Sequence, residues 1–311
     1  MAESDLVLGI DGGGSKTQAL LADDSGRVIG RGVAGASNYQ AIGVEAGCAA
    51  IEQAARAALA GAGIDGPSPA AVCLGLAGAG RPEDQALFQA WAQAQWARAR
   101  VAVVNDAELV LAAGTPEGWG LALICGTGSI AYGRGPAGPS ARAGGWGYLL
   151  GDEGSGYAIG LAALRAVARA ADGRAPATAL TGALLSHWAL AAPQDLIRRV
   201  YREGTSPSDI AGLAARVDEI AAGGDTVAEG ILRDAGRELA LALLAVADRL
   251  ALRGPVACGL AGGLIVHSSA LLREALAAAA EQGLLLEPVS RVEEPARGAI
   301  RIATRLLERP E

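Results

Sequence analysis

Leu6-Val7-Leu8-Gly9-Ile10-Asp11-Gly12-Gly13-Gly14-Ser15-Lys16-Thr17 runs from an apolar segment through one aspartate into three glycines. A short apolar run ending this way reads as a buried strand entering a tight turn. Thr17 to Ala22 then reads as a second strand, Asp23-Asp24-Ser25-Gly26 as a hairpin turn, and Val28 to Val33 as a third strand. From Val44 to Ala62 the chain is alanine-rich with helical spacing. Ala71 to Leu76 reads as a strand, Pro82 to Ala99 as a helix, and Val101 to Val104 as a strand ending at Asn105-Asp106. The order β-β-β-α-β-α-β predicts a mixed sheet with helices on its faces.

A similar opening returns after Gly118. Leu121 to Cys125 reads as a strand into Gly126-Thr127-Gly128-Ser129, and Ile130 to Gly133 leads through a Gly/Pro turn region to Arg142. The chain then turns helical: Ser155 to Ala171, Ala175 to His187, Pro193 to Glu203, Ser206 to Ala222 and Asp225 to Leu252. Val256 to Leu260 is a late strand before Gly259-Leu260-Ala261-Gly262-Gly263, followed by a helix from Ser268 to Gln282, a short strand at Leu284 to Glu287 and a last helix from Pro295. Two strand-then-glycine hairpins suggest an internal duplication with a cleft between the halves.

The 311 residues suggest two domains, and 51% hydrophobic with 19% charged residues is globular composition. The net charge is −7, and Lys16 is the only lysine, so no basic surface for nucleic acid is expected. A mean hydropathy of +0.29 raises the question of a membrane. The apolar runs are interrupted by Arg, Asp and Glu and fall short of the ~20 residues of a spanning helix, so a soluble protein is expected. Met1-Ala2-Glu3-Ser4-Asp5 is acidic where a signal peptide needs a basic start, which makes the cytoplasm the expected location. Cys48, Cys73, Cys125 and Cys258 form no CxxC pair and sit among aliphatic residues, as buried free thiols do. With only His187 and His267, a multi-histidine zinc site is excluded and a Ser-His-Asp triad is poorly supplied.

Glycine turns admit a ligand close to the backbone, allow positive φ, and expose N–H groups that cradle phosphate oxygens. Gly12, Gly13, Gly14, Ser15, Lys16 and Thr17 form one such candidate; Gly126, Thr127, Gly128 and Ser129 form a second; Gly262 and Gly263 belong to a third. The first is no Walker A loop, because Ser15 follows Gly14 where that motif requires Lys, and no Rossmann fingerprint, because a strand follows the glycines. A plain hairpin turn is the competing reading of any one alone. Three together suit a nucleotide, with phosphates on the hairpins and the nucleoside on the third. Asp11, at a strand end, suits a hydrated Mg²⁺. Lys16 reads either as a phosphate contact or as a solvated turn residue.

These segments resemble the sugar kinase/heat-shock chaperone/actin superfamily, and within it the N-acetylglucosamine kinase branch, also described as the BadF/BadG family. The most specific stretch is Gly144-Gly145-Trp146-Gly147-Tyr148-Leu149-Leu150-Gly151-Asp152-Glu153-Gly154-Ser155-Gly156. The resemblance runs from Leu6 to Pro295-Ala296-Arg297-Gly298-Ala299. It implies an α/β, two-lobed, actin-like ATPase fold of the ribonuclease H-like kind, each lobe a mixed sheet flanked by helices, with the ligand cleft between them. The lobes are expected at 1–115 with a returning C-terminal helix at 295–311, carrying sugar and phosphate loop, and at 116–294, binding the nucleotide. The implied reaction is ATP-dependent phosphorylation of the C6 hydroxyl of an amino sugar, with ATP and Mg²⁺, in a homodimer.

Residue by residue, the resemblance makes Asp106 the catalytic aspartate, where spacing alone also allows a helix N-cap. It makes Asn38 a sugar contact, where an Asx turn competes. It makes Asp152 a partner of sugar hydroxyls, where a helix cap competes, and brings the Gly144-Gly145 backbone onto the ring. Trp146 reads as a sugar-site residue or as a core aromatic. In vertebrate-type N-acetylglucosamine kinases a Trp and a Cys hold the acetyl methyl; Gln40 and Ala143 stand near those places here. N-acetylglucosamine is the first expectation, with glucosamine and N-acetylmuramic acid as alternatives. An iron–sulfur activator of 2-hydroxyacyl-CoA dehydratases is disfavoured because Cys125 and Cys258 lie inside strands. A DNA-binding sugar regulator is disfavoured because the first strand begins at Leu6.

Overall fold

The computed structural model describes residues 5–64, 69–202 and 204–308. The opening residues Met1 to Ser4, the expected helix end at Glu203 and the tail 309–311 lie outside the described residues. The chain divides into two units: Met1–Gly118 with Glu294–Glu311, and Trp119–Glu293.

The first unit contains β1 (Val7–Gly12), β2 (Thr17–Ala22), β3 (Val28–Ala34), α1 (Tyr39–Ile42), α2 (Val44–Gly61), β4 (Ala71–Leu76), α3 (Pro82–Gln95), β5 (Arg100–Asn105) and α4 (Asp106–Gly114), and a C-terminal helix at Ala296–Glu308 completes it. Its sheet has the order β3-β2-β1-β4-β5. β1 pairs antiparallel with β2 and parallel with β4, and β4 pairs parallel with β5. Side chains alternate across the sheet, so Leu8 and Ile10 join Ile51 and Phe88 in one buried cluster, while Val7 joins Cys73, Leu109, Ala299 and Ile300 in another. Gly9 is the position where the C-terminal helix presses on β1: a Cβ there would lie 2.6 Å from the Ile300 nitrogen.

The second unit repeats the plan. Its strands β6 (Gly120–Cys125), β7 (Ser129–Arg134) and β8 (Ser140–Gly144) are followed by α5 (Gly156–Ala171), α6 (Leu180–His187), α7 (Asp195–Arg202), α8 (Pro207–Ala211), α9 (Ala214–Ala222) and α10 (Thr226–Arg249). Then come β9 (Val256–Ala261), α11 (Gly263–His267), α12 (Ser269–Glu281) and β10 (Leu286–Arg291), and the C-terminal helix of the first unit is α13. The sheet order is β10-β9-β6-β7-β8. The α/β class and the two mixed sheets flanked by helices agree with the expectation.

Three local expectations are corrected. The Gly/Pro region leading to Arg142 runs into an edge strand, β8, whose five residues Ser140-Ala141-Arg142-Ala143-Gly144 alternate only through two alanines, Ala141 and Ala143, which pack against the core. The helix read from Ser206 to Ala222 is two helices, with Gly212 ending α8. The helix read from Ala175 begins only at Leu180, with Pro176 and Thr178 in the loop and the Thr178 hydroxyl bonded to Asp225. Among the described residues no helix is long and apolar enough to cross a membrane.

Candidate active site

In the first unit the strand register gathers the candidate residues. Asp11, Gly75 and Val104 lie side by side on β1, β4 and β5, and Gly12, Leu76 and Asn105 occupy the next row. Asp11 and Asp106 therefore both stand at the C-terminal ends of parallel strands with one strand between them. At about 4.8 Å per strand the backbones of Asp11 and Val104 are about 10 Å apart, with Asp106 two residues further on, and such strand ends are where open α/β sheets bind ligands. Burial, and then the Asp106 carboxylate, pushes the Asp11 pKa up to about 6, and Lys16 opposes them. Asp106 is raised mainly by burial, against backbone N–H groups that favour its charged form. Asn105, not Asp106, caps α4: its Oδ1 accepts from the Ala107 N–H at 3.0 Å. Asp106 occupies the first helical position and accepts from the same N–H at 2.9 Å.

The first hairpin closes through the Gly13 N–H donating to the Lys16 carbonyl at 3.0 Å. Positive φ is not what it needs, since Gly12, Gly13 and Gly14 all lie outside that region. Gly12 is required by packing, because a Cβ would sit 2.5 Å from Ser37 Oγ, whereas nothing lies within 4 Å of a Cβ on Gly14. Gly14, Ser15 and Lys16 are exposed at the tip. Thr17 is fully buried and its hydroxyl donates to the Gly35 carbonyl at 2.7 Å, so the side chain holds the frame of the hairpin. The Gly13 carbonyl in turn accepts from the Ser37 and Asn38 N–H groups at 3.0 and 3.2 Å, which ties Asn38 to the hairpin. Asn38 makes the Asx-type contact, accepting from Gln40 N–H at 3.2 Å, and its side-chain N–H₂ makes no hydrogen bond among the described residues. The Ala77-Gly78 turn after β4 completes this corner, taking hydrogen bonds from Tyr39 and Gln40 on the Gly78 carbonyl. The signal for it in the sequence is the same one, a glycine just after an apolar strand, here Gly78 with positive φ after β4.

In the second unit the glycine hairpin and the Gly-Gly-Trp-Gly…Gly-Asp-Glu-Gly-Ser stretch are locked together. Ser129 Oγ donates to the Glu153 carbonyl at 2.7 Å, and the Gly156 N–H donates to the Gly126 carbonyl at 2.8 Å. Asp152 is buried, with φ of 59°, a conformation costly for a non-glycine residue and typical of sites. Its Oδ1 accepts from the Gly147 N–H at 3.2 Å, and burial is the main cause raising its pKa. Ser155, not Asp152, caps α5, through the Ala158 N–H. Gly144, Gly145 and Gly147 all take positive φ, which makes the run a sharp backbone turn. Trp146 is not a core aromatic: it is 66% exposed and lies under Arg142 at 5.8 Å. Gly262 has φ of 93° and a Cβ there would meet the Cys125 carbonyl at 2.4 Å, while Gly263 beside it is open. A cavity of about 600 Å³ starts at Gly126 and Thr127 and runs between α8, α9 and α11.

Among the described residues no group of three or more His, Cys, Asp or Glu side chains can hold a metal by itself. Asp11 fits a different mode, in which a magnesium ion keeps its waters and sits mainly on substrate phosphates. Burial pushes the Cys125 and Cys258 thiols up to about 12, and Cys73 rises as well, so these are inert core thiols.

This chain is 38% identical over 269 residues, 86% of its length and 88% of the other, to an N-acetylmuramic acid/N-acetylglucosamine kinase of Clostridium acetobutylicum. It is 35% identical over 245 residues, 76% and 77% of the two lengths, to an N-acetyl-D-glucosamine kinase of Dictyostelium discoideum. A crystal structure from Chromobacterium violaceum, assigned provisionally as an N-acetylglucosamine kinase, superposes with a TM-score of 0.73 at 30% identity, covering 96% of this chain and 98% of that one. The family model for BadF/BadG/BcrA/BcrD ATPases matches residues 8–303, from the strand before Asp11 to the middle of α13. With both glycine hairpins, Asp106 and the Asp152 turn inside that span, the chain belongs to the BadF/BadG/BcrA/BcrD ATPase family.

Proposed function

We propose that the protein is an ATP-dependent kinase of amino sugars that phosphorylates the C6 hydroxyl of N-acetylglucosamine. The observation that supports the reading is the pair of hydrogen bonds that ties the turn carrying Asp152 to the second hairpin, Ser129 to the Glu153 carbonyl and Gly156 to the Gly126 carbonyl, so that a candidate sugar-hydroxyl acceptor and a candidate phosphate cradle share one turn. Free backbone N–H groups of the second hairpin, at Thr127 and Gly128, bind phosphate oxygens, the exposed tip Gly14 to Lys16 of the first hairpin is a further phosphate contact, and Gly262-Gly263 receives the adenosine. Asp152, the Asn38 amide and the Gly144-Gly145 backbone orient the sugar, with Trp146 against it. Asp106 accepts the C6 hydroxyl proton on a carboxylate oxygen, and its raised pKa makes it the stronger base. Phosphoryl transfer needs little more than such positioning and charge neutralisation. Asp11 would hold Mg²⁺ through water, and the bound ion supplies charge neutralisation on the phosphates. The proposal includes a homodimer, on the family resemblance, and the cytoplasm as the default location.

The test is a coupled ADP-release assay with N-acetylglucosamine, glucosamine, N-acetylmuramic acid and glucose. The highest kcat/KM is expected for N-acetylglucosamine. A one-contact change in the acetyl pocket is worth only ~1–3 kcal/mol, so the other amino sugars are expected as slower substrates. A higher value for glucosamine or N-acetylmuramic acid overturns the choice of sugar, and no turnover of any hexose overturns the kinase.

A further inference from the structure

A second cavity in the same unit, of about 400 Å³, opens beside the Gly144 turn and lies in the size range of small-molecule sites. One wall is α10, where Glu238, Leu241 and Ala242 share a face through their spacing of three and four residues. The opposite wall is Trp146 with Glu153. These two meet over Gly151: a Cβ on that glycine would lie 3.1 Å from Trp146 Cβ and 3.5 Å from Glu153 Oε2. Arg142 lies over the indole at 5.8 Å without lining the cavity, a cation–π contact that steadies the ring. The carboxylates of Glu153 and Glu238 take no hydrogen bond or ion pair among the described residues.

These walls select a class of ligand. No Lys or Arg lines the cavity, so its two carboxylates repel an anion. A wholly apolar ligand would strip water from both carboxylates and return no donor. A neutral hexopyranose suits them: its hydroxyls donate to the carboxylate oxygens, and its C–H face covers the exposed side chains of Trp146 and Leu241. The cavity is also continuous with the turn described above. Gly144 and Glu153 line it, Glu153 directly follows Asp152, and the Glu153 carbonyl accepts the Ser129 hydroxyl. Resting on the amino-sugar reading above, we infer that this cavity is a second sugar subsite, which extends the acceptor from a single amino sugar to a β-linked amino-sugar disaccharide. Glu238 tells the two apart, because it stands on α10 and not on the Asp152 turn. The chemistry is unchanged: the C6 oxygen of the ring held by Asp152 bonds to the γ-phosphorus of ATP, the bond from that phosphorus to ADP breaks, and the hydroxyl proton passes to the base.

ADP-release kinetics on the whole protein with N-acetylglucosamine and N,N′-diacetylchitobiose test this, with the phosphorylated product weighed by mass spectrometry. The disaccharide is expected to be phosphorylated intact, with a KM about tenfold or more below that of the monosaccharide, as a hydrogen bond to a charged group gives. Glu238→Ala is expected to remove that advantage and to leave kcat and KM for N-acetylglucosamine as they are. Glu238 is exposed on a helix that alanine suits, so this variant is expected to fold. Ala242→Leu, which fills the cavity from the same helix, is expected to act likewise without touching a charge. A disaccharide that is not phosphorylated, or whose KM equals or exceeds that of the monosaccharide, overturns the subsite. So does a Glu238→Ala variant that raises both KM values together. No turnover of either sugar overturns the kinase reading itself, a result distinct from a monosaccharide kinase that excludes the disaccharide.

Discussion

Gly128 sits directly against Asp152: a Cβ on the glycine would lie 2.5 Å from the Asp152 carboxylate oxygen Oδ2. From the sequence, Gly128→Val is expected to weaken ATP binding and spare the sugar. The close approach leads to a different expectation, because a side chain at 128 displaces the carboxylate proposed to hold sugar hydroxyls. Overpacking of this kind costs about 1–3 kcal/mol, or roughly 5- to 150-fold in a binding constant. Gly128→Ala is therefore expected to raise KM for both ATP and sugar. A normal sugar KM beside a raised ATP KM removes Asp152 from the sugar site.

Asp106→Asn keeps an oxygen for the Ala107 N–H and removes the base. It is expected to bind sugar and nucleotide normally and to lose about 10²–10⁴-fold in kcat. Single-turnover kinetics with calorimetry separates the two effects, and near-wild-type turnover excludes Asp106 from proton transfer.

Trp146, 66% exposed, contributes little to the core. Trp146→Ala is expected to shift stability by no more than about 0.5 kcal/mol, as surface substitutions do. Sugar KM is expected to rise, with ATP KM unchanged. A large fall in denaturation midpoint would show that the side chain is needed for folding.

Asp11 carries a pH signature. Its pKa rises from the ordinary 3.8 to about 6 in the folded chain, chiefly by burial and next by the Asp106 carboxylate. Between those values the folded chain keeps a proton that the unfolded chain has released. Stability therefore falls as pH rises through this window, and the loss is complete above about pH 6. At about 1.4 kcal/mol per pKa unit the loss approaches about 3 kcal/mol. Urea denaturation without nucleotide or divalent cation is expected to show Asp11→Asn more stable than wild type at pH 7.5, and the two alike near pH 3.5. Parallel curves at every pH would assign no such cost to the buried charge.

Much of this was legible because strand ends and glycine turns are local signals. The apolar run before Asp11, the strand ending at Asn105-Asp106 and the Trp146–Ser155 stretch each announce themselves within a dozen residues. What stayed hidden depends on residues far apart in sequence. Ser140 to Gly144 pairs with β7 on the strength of its backbone, since five residues whose only apolar side chains are Ala141 and Ala143 give too faint an alternation to read. Asn105 takes the capping role open to Asp106, a choice made by one residue of helix phase. The contact of Gly128 with Asp152 spans a turn whose left-handed residues had to be seen to be placed.

The return of α13 to the first unit sets an order of events during synthesis. The cluster of Val7, Leu20, Cys73 and Leu109 is covered by Ala296, Ala299, Ile300 and Ala303. Those residues leave the ribosome only after the whole second unit has been made. The unit begun first is thus the one finished last, and its nascent sheet carries a bare greasy flank while residues 119–293 emerge. A chain halted before Ala296 lacks the residues that cover this flank and keeps it bare.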